Sequence, residues 1–381
     1  MKEKLPLEIV ENIFTRLPVK SLLRFRCVCK SCNSFIKSSN FIAAHLSQSI
    51  VATKNRALLL LSYGPQRNNK IHTTTKETVI KVQDLDSSFS HCRLIGCCHG
   101  LICLTGRQRF GGFVFIIWNP LIRKSVTFTE PDNYFGSCFI SNGFGFDSRT
   151  NDYKAVSIVQ FAHKAPVSPV VRIYSLNAGS WKDISERAPT CKMIEINWTQ
   201  PFVKGAIHWL ASRREGNNSS SDYHMILSLD MNDEAFHEMI LPRSLAHGYS
   251  PQEIHVSAFQ DSIALLHFFN TKYLSIWVIK EYGVAESWIK NLVVDLEINM
   301  PHNVSRLLSF RSNGELLLEI DDGEVILYEP ETESKQISFL RLLGDQDYRF
   351  LDSYNESLLL LDINSNVASP SVTNEEEHTG S

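Results

Sequence analysis

The sequence predicts a multidomain α+β protein in which a small head of three helices precedes a much larger all-β body. Over residues 1–45 the apolar side chains recur at helical spacing. From about Arg56 onward, short apolar runs rich in aromatic and β-branched residues alternate with turn-forming residues, as is typical of strands. The last residues are polar, have little to bury and are expected to be disordered. The predicted parts are a head at 1–45, a body at 46–363 and a tail at 364–381.

Three short helices are predicted in the head. The first carries an amphipathic stripe at spacing i, i+1, i+4, i+5 and i+8, formed by Ile9, Val10, Ile13, Phe14 and Leu17. Pro6 suits the first helical position, and Pro18 ends this helix because the residue before a proline avoids the α region. A second helix is predicted over 22–26 with Ser21 as its N-cap, and a third over 29–36. So small a unit is marginal alone, so we expect it to pack on a partner or on the body.

The head and the rest of the chain differ in charge. Residues 1–45 hold eight basic and three acidic side chains, whereas the whole chain has 38 Lys plus Arg and 41 Asp plus Glu. The head is therefore positive although the chain as a whole has a net charge of −3. A basic amphipathic head indicates an acidic partner surface. The near-neutral chain, with no aromatic stacking platform beside the basic residues, argues against nucleic-acid binding.

A repeat of about 50 residues runs through the body. Five segments share a strand, a polar turn and a second strand, and their equivalent positions are Trp118, Tyr174, Leu229, Trp277 and Tyr328. This period predicts a propeller-like ring of roughly six blades. A first strand at 57–61 and a last strand at 357–361 are expected to pair and close the ring. The alternatives are a β-sandwich or an irregular pair of sheets.

Polar stretches between the apolar runs are interpreted as insertions. They lie at 64–90, 131–141, 185–200, 212–224 and 243–253. Target specificity, if the body binds a partner, is expected to reside in these stretches because loops carry most of the variation in binding surfaces.

No metal site, cofactor site or catalytic motif is predicted. Cys27 points away from the face that Cys29 and Cys32 share on a helix, and the His and Cys residues of 91–103 alternate along a strand, so neither set converges on a metal. The nine cysteines cluster at or before Cys191, which suits reduced thiols better than a disulfide framework. The patterns GxSxG, HExxH and GxxxxGK[ST] do not occur.

No membrane span is expected, because no run of 18 apolar residues occurs. The N-terminal apolar residues are interrupted by Glu8, Glu11 and Asn12, unlike the apolar core of a secretion signal. We therefore expect a cytoplasmic and/or nuclear protein.

Residues 5–36 resemble an F-box. The matching parts are Leu5-Pro6, Glu8-Ile9, Ile13-Phe14, Leu17-Pro18, Lys20-Ser21-Leu22 and Arg24-Phe25-Arg26-Cys27-Val28-Cys29-Lys30. The family usually has Trp where this chain has Cys32, and losing a large aromatic side chain is expected to weaken a small core.

The body resembles the F-box-associated region of a large plant family. Its matching phrases are Gly100-Leu101-Ile102-Cys103, Trp118-Asn119-Pro120 with Arg123-Lys124, Gly143-Phe144-Gly145-Phe146-Asp147, Asn151-Asp152-Tyr153-Lys154-Ala155-Val156, Tyr174-Ser175-Leu176 with Ser180-Trp181, Gly205-Ala206-Ile207-His208-Trp209, and Ile276-Trp277-Val278 with Glu281-Tyr282-Gly283 and Ser287-Trp288. Together the two resemblances cover about 5–362.

The resemblance implies a non-catalytic substrate receptor of an SCF-type cullin–RING ubiquitin ligase. The head would bind a Skp-type adaptor, acidic in that family, and through it the cullin and RING subunits. The body would hold an unknown target protein for ubiquitination and proteasomal degradation, acting by proximity. The apolar candidates for the adaptor interface are Leu5, Pro6, Ile9, Ile13, Leu17, Pro18, Leu22 and Leu23, some of which must pack the head's own core.

Two questions stay open at the level of sequence. The body phrases are shared by pollen S-locus F-box proteins and by relatives that restrain immune receptor levels. The alternative function is a ubiquitin-independent binding protein whose F-box is weakened at Cys32, and a third is an enzyme hidden in the β-body. Adaptor binding separates the first two functions, and a pocket with converging titratable groups would favour the third.

Overall fold

The computed structural model shows a helical head joined to a ring of six β-sheets. It describes residues 7–52, 57–63, 70–74, 79–84, 92–107, 112–132, 138–161, 169–194, 200–214, 222–247, 253–269, 272–296, 304–310, 314–320, 324–329, 337–340 and 347–361. The division into a small helical part and a large β part confirms the predicted fold class.

Four helices form the head, one more than predicted. They are α1 (Leu7–Thr15), α2 (Val19–Phe25), α3 (Lys30–Lys37) and α4 (Ser39–Ala52). Helix α2 begins directly after Pro18, so the predicted N-cap Ser21 lies inside it. Helix α4 runs across the predicted boundary at residue 45. It lacks a clear apolar stripe in the sequence because its buried face, formed by Phe41, Ile42 and His45, includes a histidine, while the apolar Ile50 is exposed.

The strands form six antiparallel sheets, which we call blades one to six. Blade one consists of β25 (Asp347–Tyr354), β1 (Ala57–Tyr63), β2 (Lys70–Thr74) and β3 (Val79–Asp84). Blade two consists of β4 (Arg93–Cys98), β5 (Leu101–Arg107), β6 (Phe113–Asn119) and β7 (Lys124–Thr129). Blade three consists of β8 (Cys138–Asp147), β9 (Asp152–Phe161), β10 (Val170–Ser175) and β11 (Ser180–Asp183).

The other three blades follow the same order. Blade four consists of β12 (Lys192–Met193) and β13 (Phe202–Val203), which both pair with β14 (Ala206–Arg214), then β15 (Asp222–Asp230) and β16 (Ala235–Ile240). Blade five follows α5 (Arg243–Ala246) and consists of β17 (Ile254–Phe259), β18 (Ser262–Phe269), β19 (Tyr273–Ile279) and β20 (Trp288–Asp295). Blade six consists of β21 (Val304–Phe310), β22 (Leu316–Ile320), β23 (Val325–Tyr328) and β24 (Ile337–Leu340).

The predicted repeat is the repeat of the blades. The five aligned positions lie in β6, β10, β15, β19 and β23, which are the third strands of blades two to six. Apolar clusters fill the spaces between successive blades from the second to the sixth. The first blade lies outside the repeat because β2 is short and largely polar and β3 carries only three apolar residues. Both strands fall within the stretch 64–90, so the prediction that this whole stretch is an insertion is wrong.

The ring closes between the two ends of the body, but not with the predicted last strand. Strand β1 pairs antiparallel with β25, from Ala57 opposite Tyr354 to Tyr63 opposite Asp347. Strand β25 also lies beside the inner strands β4 and β21 of its two neighbouring blades. The predicted strand at 357–361 is instead a turn after β25, in which Leu360 has a positive φ of 70°.

Three tryptophans join neighbouring blades. The indole N–H of Trp181 donates to the carbonyl of Thr129 at 2.7 Å, that of Trp209 to Asn142 at 3.1 Å, and that of Trp288 to Ile240 at 3.0 Å. Each bond runs from one blade to the blade before it. These three tryptophans therefore stabilise the ring, since each combines a large apolar contact with a satisfied donor.

Residues 356–361, which we call the C-terminal strap, connect the ring to the head. Leu358 and Leu361 are buried in one apolar cluster with the head residues Val19, Leu22, Ile36, Phe41 and Ile42. The backbone N–H of Val19, at the start of α2, donates to Glu356 Oε2 at 3.0 Å. The head is therefore packed onto the body, as its small size led us to expect.

The phrase Trp118-Asn119-Pro120 with Lys124 holds the strap on blade two. The fully buried Asn119 donates through Nδ2 to the carbonyls of Ser357 and Leu359, both at 3.0 Å, and Lys124 Nζ donates to the carbonyl of Leu361 at 2.9 Å. At Gly100, with φ +80°, an added Cβ would lie 2.2 Å from the carbonyl oxygen of Asn355. Only glycine lets the chain pass this close.

Candidate functional site

The candidate site is the exposed apolar face of the head. Of the twelve large hydrophobic side chains exposed among the described residues, five lie in the head. Ile9 is 46% and Ile13 is 48% exposed, one turn apart on α1, and Pro18 is also exposed. Exposed apolar side chains concentrated in so small a unit indicate a protein-binding surface.

The predicted site residues divide into two groups. Ile9, Ile13 and Pro18 reach the surface, whereas Leu17 and Leu23 are half-buried and pack against the cluster at the strap. Leu22 is fully buried in that cluster, so it supports the surface from below and does not reach it. Leu5 and Pro6 lie outside the described residues.

Two exposed residues were missing from the predicted set. Phe25 is 39% exposed and Val28 is 70% exposed. The Phe25 ring lies 5.3 Å from the ring of Phe14 on α1, which ties the end of α2 to the first helix. The signal in the sequence was an aromatic and an aliphatic residue set among basic ones in RFRCVCK, where no helical stripe requires them.

Basic side chains stand beside several of these apolar residues in the sequence. Lys20, Arg24 and Lys30 are exposed, and none of them forms an ion pair with a described residue. The Arg26 guanidinium donates through Nε to Asn33 Oδ1 at 3.1 Å and so bridges α2 to α3. The surface therefore combines apolar anchors with an unneutralised positive rim, which suits an acidic protein.

Cys32 lies half-buried in the first turn of α3 and outside the apolar cluster that fills the head. That cluster is built from aliphatic side chains and from Phe14, Phe35 and Phe41, whose rings contact each other. The expected weakening of partner binding by Cys32 stays a prediction.

Two of the matching body phrases supply Asp147 and Lys154 to a buried ion cluster between blades three and four. Lys154 Nζ lies 2.7 Å from Asp147 Oδ2 and 3.0 Å from Glu234 Oε1, and it also donates to the carbonyl of Met231 at 3.1 Å. Burial raises the pKa of Asp147, but the hydrogen bonds from Lys154 and Thr150 and the charge of Lys154 together outweigh it and lower the pKa to about 2. All members are paired, so the cluster is structural.

The cysteines of the body behave as core residues. Cys92, Cys98, Cys103 and Cys191 are buried, and burial raises the pKa of Cys92 and of Cys191 to about 11. No group of three or more potential metal ligands converges among the described residues, and His91 lies outside them. No helix in the described part of the chain is both long enough and apolar enough to span a membrane.

His208 makes the stability of the ring depend on pH. Its ring is fully buried between blades four and five, with Nδ1–H donating to the Pro201 carbonyl at 3.2 Å and Nε2 accepting from the Tyr282 hydroxyl at 2.6 Å. Burial lowers its pKa to about 4. The unfolded chain therefore binds more protons than the folded chain between about pH 4 and pH 6.5, so stability falls as the pH falls through this range.

We expect wild-type protein to lose about 2 kcal/mol of unfolding free energy through His208 between about pH 7.5 and pH 5, measured by urea titration. His208→Gln should show a correspondingly smaller loss. His237→Gln, which changes an exposed histidine on β16, should keep the wild-type pH dependence. Equal pH dependence in His208→Gln and wild type would contradict this origin.

Four of the predicted insertions are flanked by strands that end away from the head. Turns between the first and second strands and between the third and fourth strands share one face of the ring, and Leu121 and Ile122 of one such turn pack against the head. The strands that flank the stretches 131–141, 185–200, 212–224 and 243–253 end on the opposite face, because strands alternate in direction. Part of each stretch lies outside the described residues, as do most of the flexible loop that the polar run at 214–222 predicts and the whole predicted tail.

Comparison with known proteins agrees with both parts of the chain. The model of the F-box associated beta propeller domain matches residues 48–357, and the F-box domain matches residues 3–43. An F-box/kelch-repeat protein of Arabidopsis thaliana is 27% identical over 76% of this chain and 79% of its own length. The Arabidopsis thaliana F-box protein CPR1 is 24% identical over 89% of this chain and 84% of its own length. Among solved structures, the Dos1 propeller covers 71% of this chain and 66% of that chain, with 8% identity and a TM-score of 0.36.

Proposed function

Because the chain belongs to the family of F-box proteins with an F-box associated beta propeller domain, we propose that it is the substrate receptor of an SCF-type ubiquitin ligase. The head binds a Skp-type adaptor, which links it to cullin and RING subunits. The body binds a target protein. The observation that carries this proposal is the exposed apolar face of the head within its basic rim.

The adaptor contact is expected to centre on Ile9 and Ile13, with Phe25 and Val28 beside them. Large apolar side chains that leave water on binding supply most of the energy of such interfaces. Lys20 and Arg24 lie at the rim, where they increase the association rate with an acidic adaptor. The chain itself performs no chemistry in this proposal, since it brings a target to a ubiquitin-loaded enzyme by raising its local concentration.

We place target binding on the ring face opposite the head. The strap fixes the head on one face, so a target on the opposite face stands clear of the adaptor. The strands that lead into the predicted insertions end there. Two finer roles follow from the family, pollen S-locus recognition and turnover of immune receptors, with activity in the cytoplasm or nucleus. Affinity purification from pollen and from leaf tissue would distinguish the two.

Ile13→Asp tests the adaptor contact. We expect at least a tenfold loss of affinity, roughly 1.4 kcal/mol, for a plant Skp-type adaptor in a binding assay with the purified full chain. The folded structure should survive because Ile13 is exposed, whereas Leu17→Asp would also disturb the half-buried core. Val293→Asp, at a residue that is 51% exposed on β20, is the matched control and should bind as the wild type does.

If folded wild-type protein fails to bind any Skp-type adaptor, the variant Cys32→Trp tests whether the missing aromatic side chain is the cause. Restored binding would identify the small residue in α3 as the cause. Continued failure would favour the ubiquitin-independent binding protein.

A further inference from the structure

Cys29 and Cys32 lie together at the N-terminus of α3, in an arrangement that neither partner binding nor the core requires. Cys29 is the exposed N-cap residue, with extended backbone angles φ −157° and ψ 162°. This conformation turns its side chain over the first turn, where Sγ accepts the backbone N–H of Cys32 at 3.3 Å. The Cys29 sulfur therefore contacts the backbone of the second cysteine, three residues further along the chain.

The surroundings favour a reactive thiolate at Cys29. The sulfur sits where the unpaired N–H groups of an eight-residue helix point, and the first turn of that helix holds no acidic residue. The hydrogen bond from the backbone N–H of Cys32 lowers the pKa of Cys29. A cysteine whose pKa is lowered at a helix N-terminus has more of the nucleophilic thiolate form.

The neighbouring Cys27 is a built-in comparison. It is equally exposed and only two residues away, but its thiol donates to the carbonyl of Leu23 at 3.9 Å. That contact directs its thiol to the end of α2 and not to the N-terminus of α3. The spacing between Cys29 and Cys32 also matches the two-residue gap of dithiol redox pairs.

We propose that Cys29 and Cys32 are a redox-active dithiol that forms a reversible disulfide within the head. The oxidant is a low-molecular-weight disulfide such as glutathione disulfide. The Cys29 thiolate attacks one sulfur of the reagent, the S–S bond of the reagent breaks, and one glutathione leaves as thiolate. Deprotonated Cys32 then attacks the Cys29 sulfur, forming the Cys29–Cys32 bond and releasing the second glutathione. Two protein thiols lose two electrons, and the two protons go to the two glutathione thiolates.

The pair is placed to affect partner binding. Val28 precedes Cys29, and Phe25 ends the helix before it, so a disulfide constrains the turn that presents two of the exposed apolar residues. This consequence rests on the proposed function. The disulfide itself does not, because its assay reads covalent chemistry in the isolated full chain.

The test uses reduced full-length protein in glutathione redox buffer, quenched by alkylation and analysed by tryptic mass spectrometry. Trypsin cleaves after Arg26, Lys30 and Lys37, so the disulfide joins the peptides 27–30 and 31–37. We expect this linked pair in wild type and in Cys27→Ser, where only Cys29 can supply the first peptide. Two variants compare the reactivity of the two exposed cysteines. We expect glutathione to accumulate on Cys29 in Cys32→Ser about tenfold faster than it accumulates on Cys27 in Cys29→Ser.

Two results would overturn the proposal. One is a linked pair that disappears in Cys27→Ser, which would assign the bond to Cys27. The other is a stable mixed disulfide between Cys29 and glutathione in the wild type. Wild type and Cys32→Ser would then give the same product, because Cys32 does not displace the glutathione. A chain that fails to bind the adaptor but forms the Cys29–Cys32 bond would still support the dithiol while contradicting the proposed function.

Discussion

Leu358→Asp should release the helical head from the ring. Leu358 is fully buried between the head and blade two, in the cluster that contains Val19, Leu22 and Phe41. Removing a buried leucine costs about 2–5 kcal/mol, and an unpaired carboxylate in the same place adds a desolvation penalty. We therefore expect a loss of at least about 4 kcal/mol at this contact, enough to detach or unfold a unit as small as the head.

Limited proteolysis followed by thermal unfolding measures this effect. In the wild type, head and ring should become protease-sensitive together, because the strap couples them. In Leu358→Asp, cleavage within residues 7–52 should occur while the ring still resists, and adaptor binding should fall with it. Val293→Asp introduces the same charge on the exposed surface of blade five and should behave as the wild type does. An intact, adaptor-binding head in Leu358→Asp would show that the strap is not required.

Asn119→Asp tests the same contact from the side of the ring without changing side-chain volume. It replaces the amide that donates to the Ser357 and Leu359 carbonyls with an oxygen that can only accept. Buried oxygens then face each other, at a cost of roughly 1–3 kcal/mol or more for a charged group. In this variant too, the head should become protease-sensitive before the ring does. The loss of stability should be smaller than in Leu358→Asp.

The apolar periods of the sequence anticipated most of the ring. The third strands of blades two to six form near-continuous apolar runs because they are buried on both faces between neighbouring blades, and they keep aromatic or large aliphatic residues at equivalent places. Strands β2 and β25 lack such runs. The strongest apolar run near the C-terminus, at 357–361, belongs to the strap, which is apolar because it is buried between head and ring. Burial and strand formation give the same composition here, so the sequence alone assigned ring closure to the wrong segment.

The head shows the same limit. Leu22 and Ile13 are equally apolar and lie in neighbouring helices, but one is fully buried and the other is 48% exposed. A helix that packs on its own core and also presents an apolar face to a partner carries two apolar sides, and periodicity cannot say which is which. Phe25 lies in the predicted second helix and Val28 directly before the predicted third helix, where apolar residues are assigned to the core of the head as readily as to a partner-binding surface.

Lys154→Met should destabilise the ring strongly. Its side chain is 8% exposed and stands between Asp147, which is 0% exposed, and Glu234, which is 12% exposed. Removing the ammonium leaves two largely buried carboxylates without their shared partner, which typically costs about 3–5 kcal/mol. We expect a loss of that size in the free energy of unfolding, measured by urea titration at neutral pH.

Lys182→Met is the matched control, because it removes an ion pair to the same Glu234 from a side chain that is 62% exposed. Exposed pairs contribute about 0–1 kcal/mol, so this variant should remain close to the wild type in its free energy of unfolding.

The pH dependence of stability distinguishes the two lysine variants further. The folded pKa of Asp147 lies at about 2, below its usual 3.8, so its contribution is present above about pH 4 and is lost as the pH falls toward 2. Lys154→Met should lose this acid sensitivity because the ion pair that lowers the pKa is gone, whereas equal stability of the two lysine variants would mean that the buried cluster contributes no more than an exposed pair.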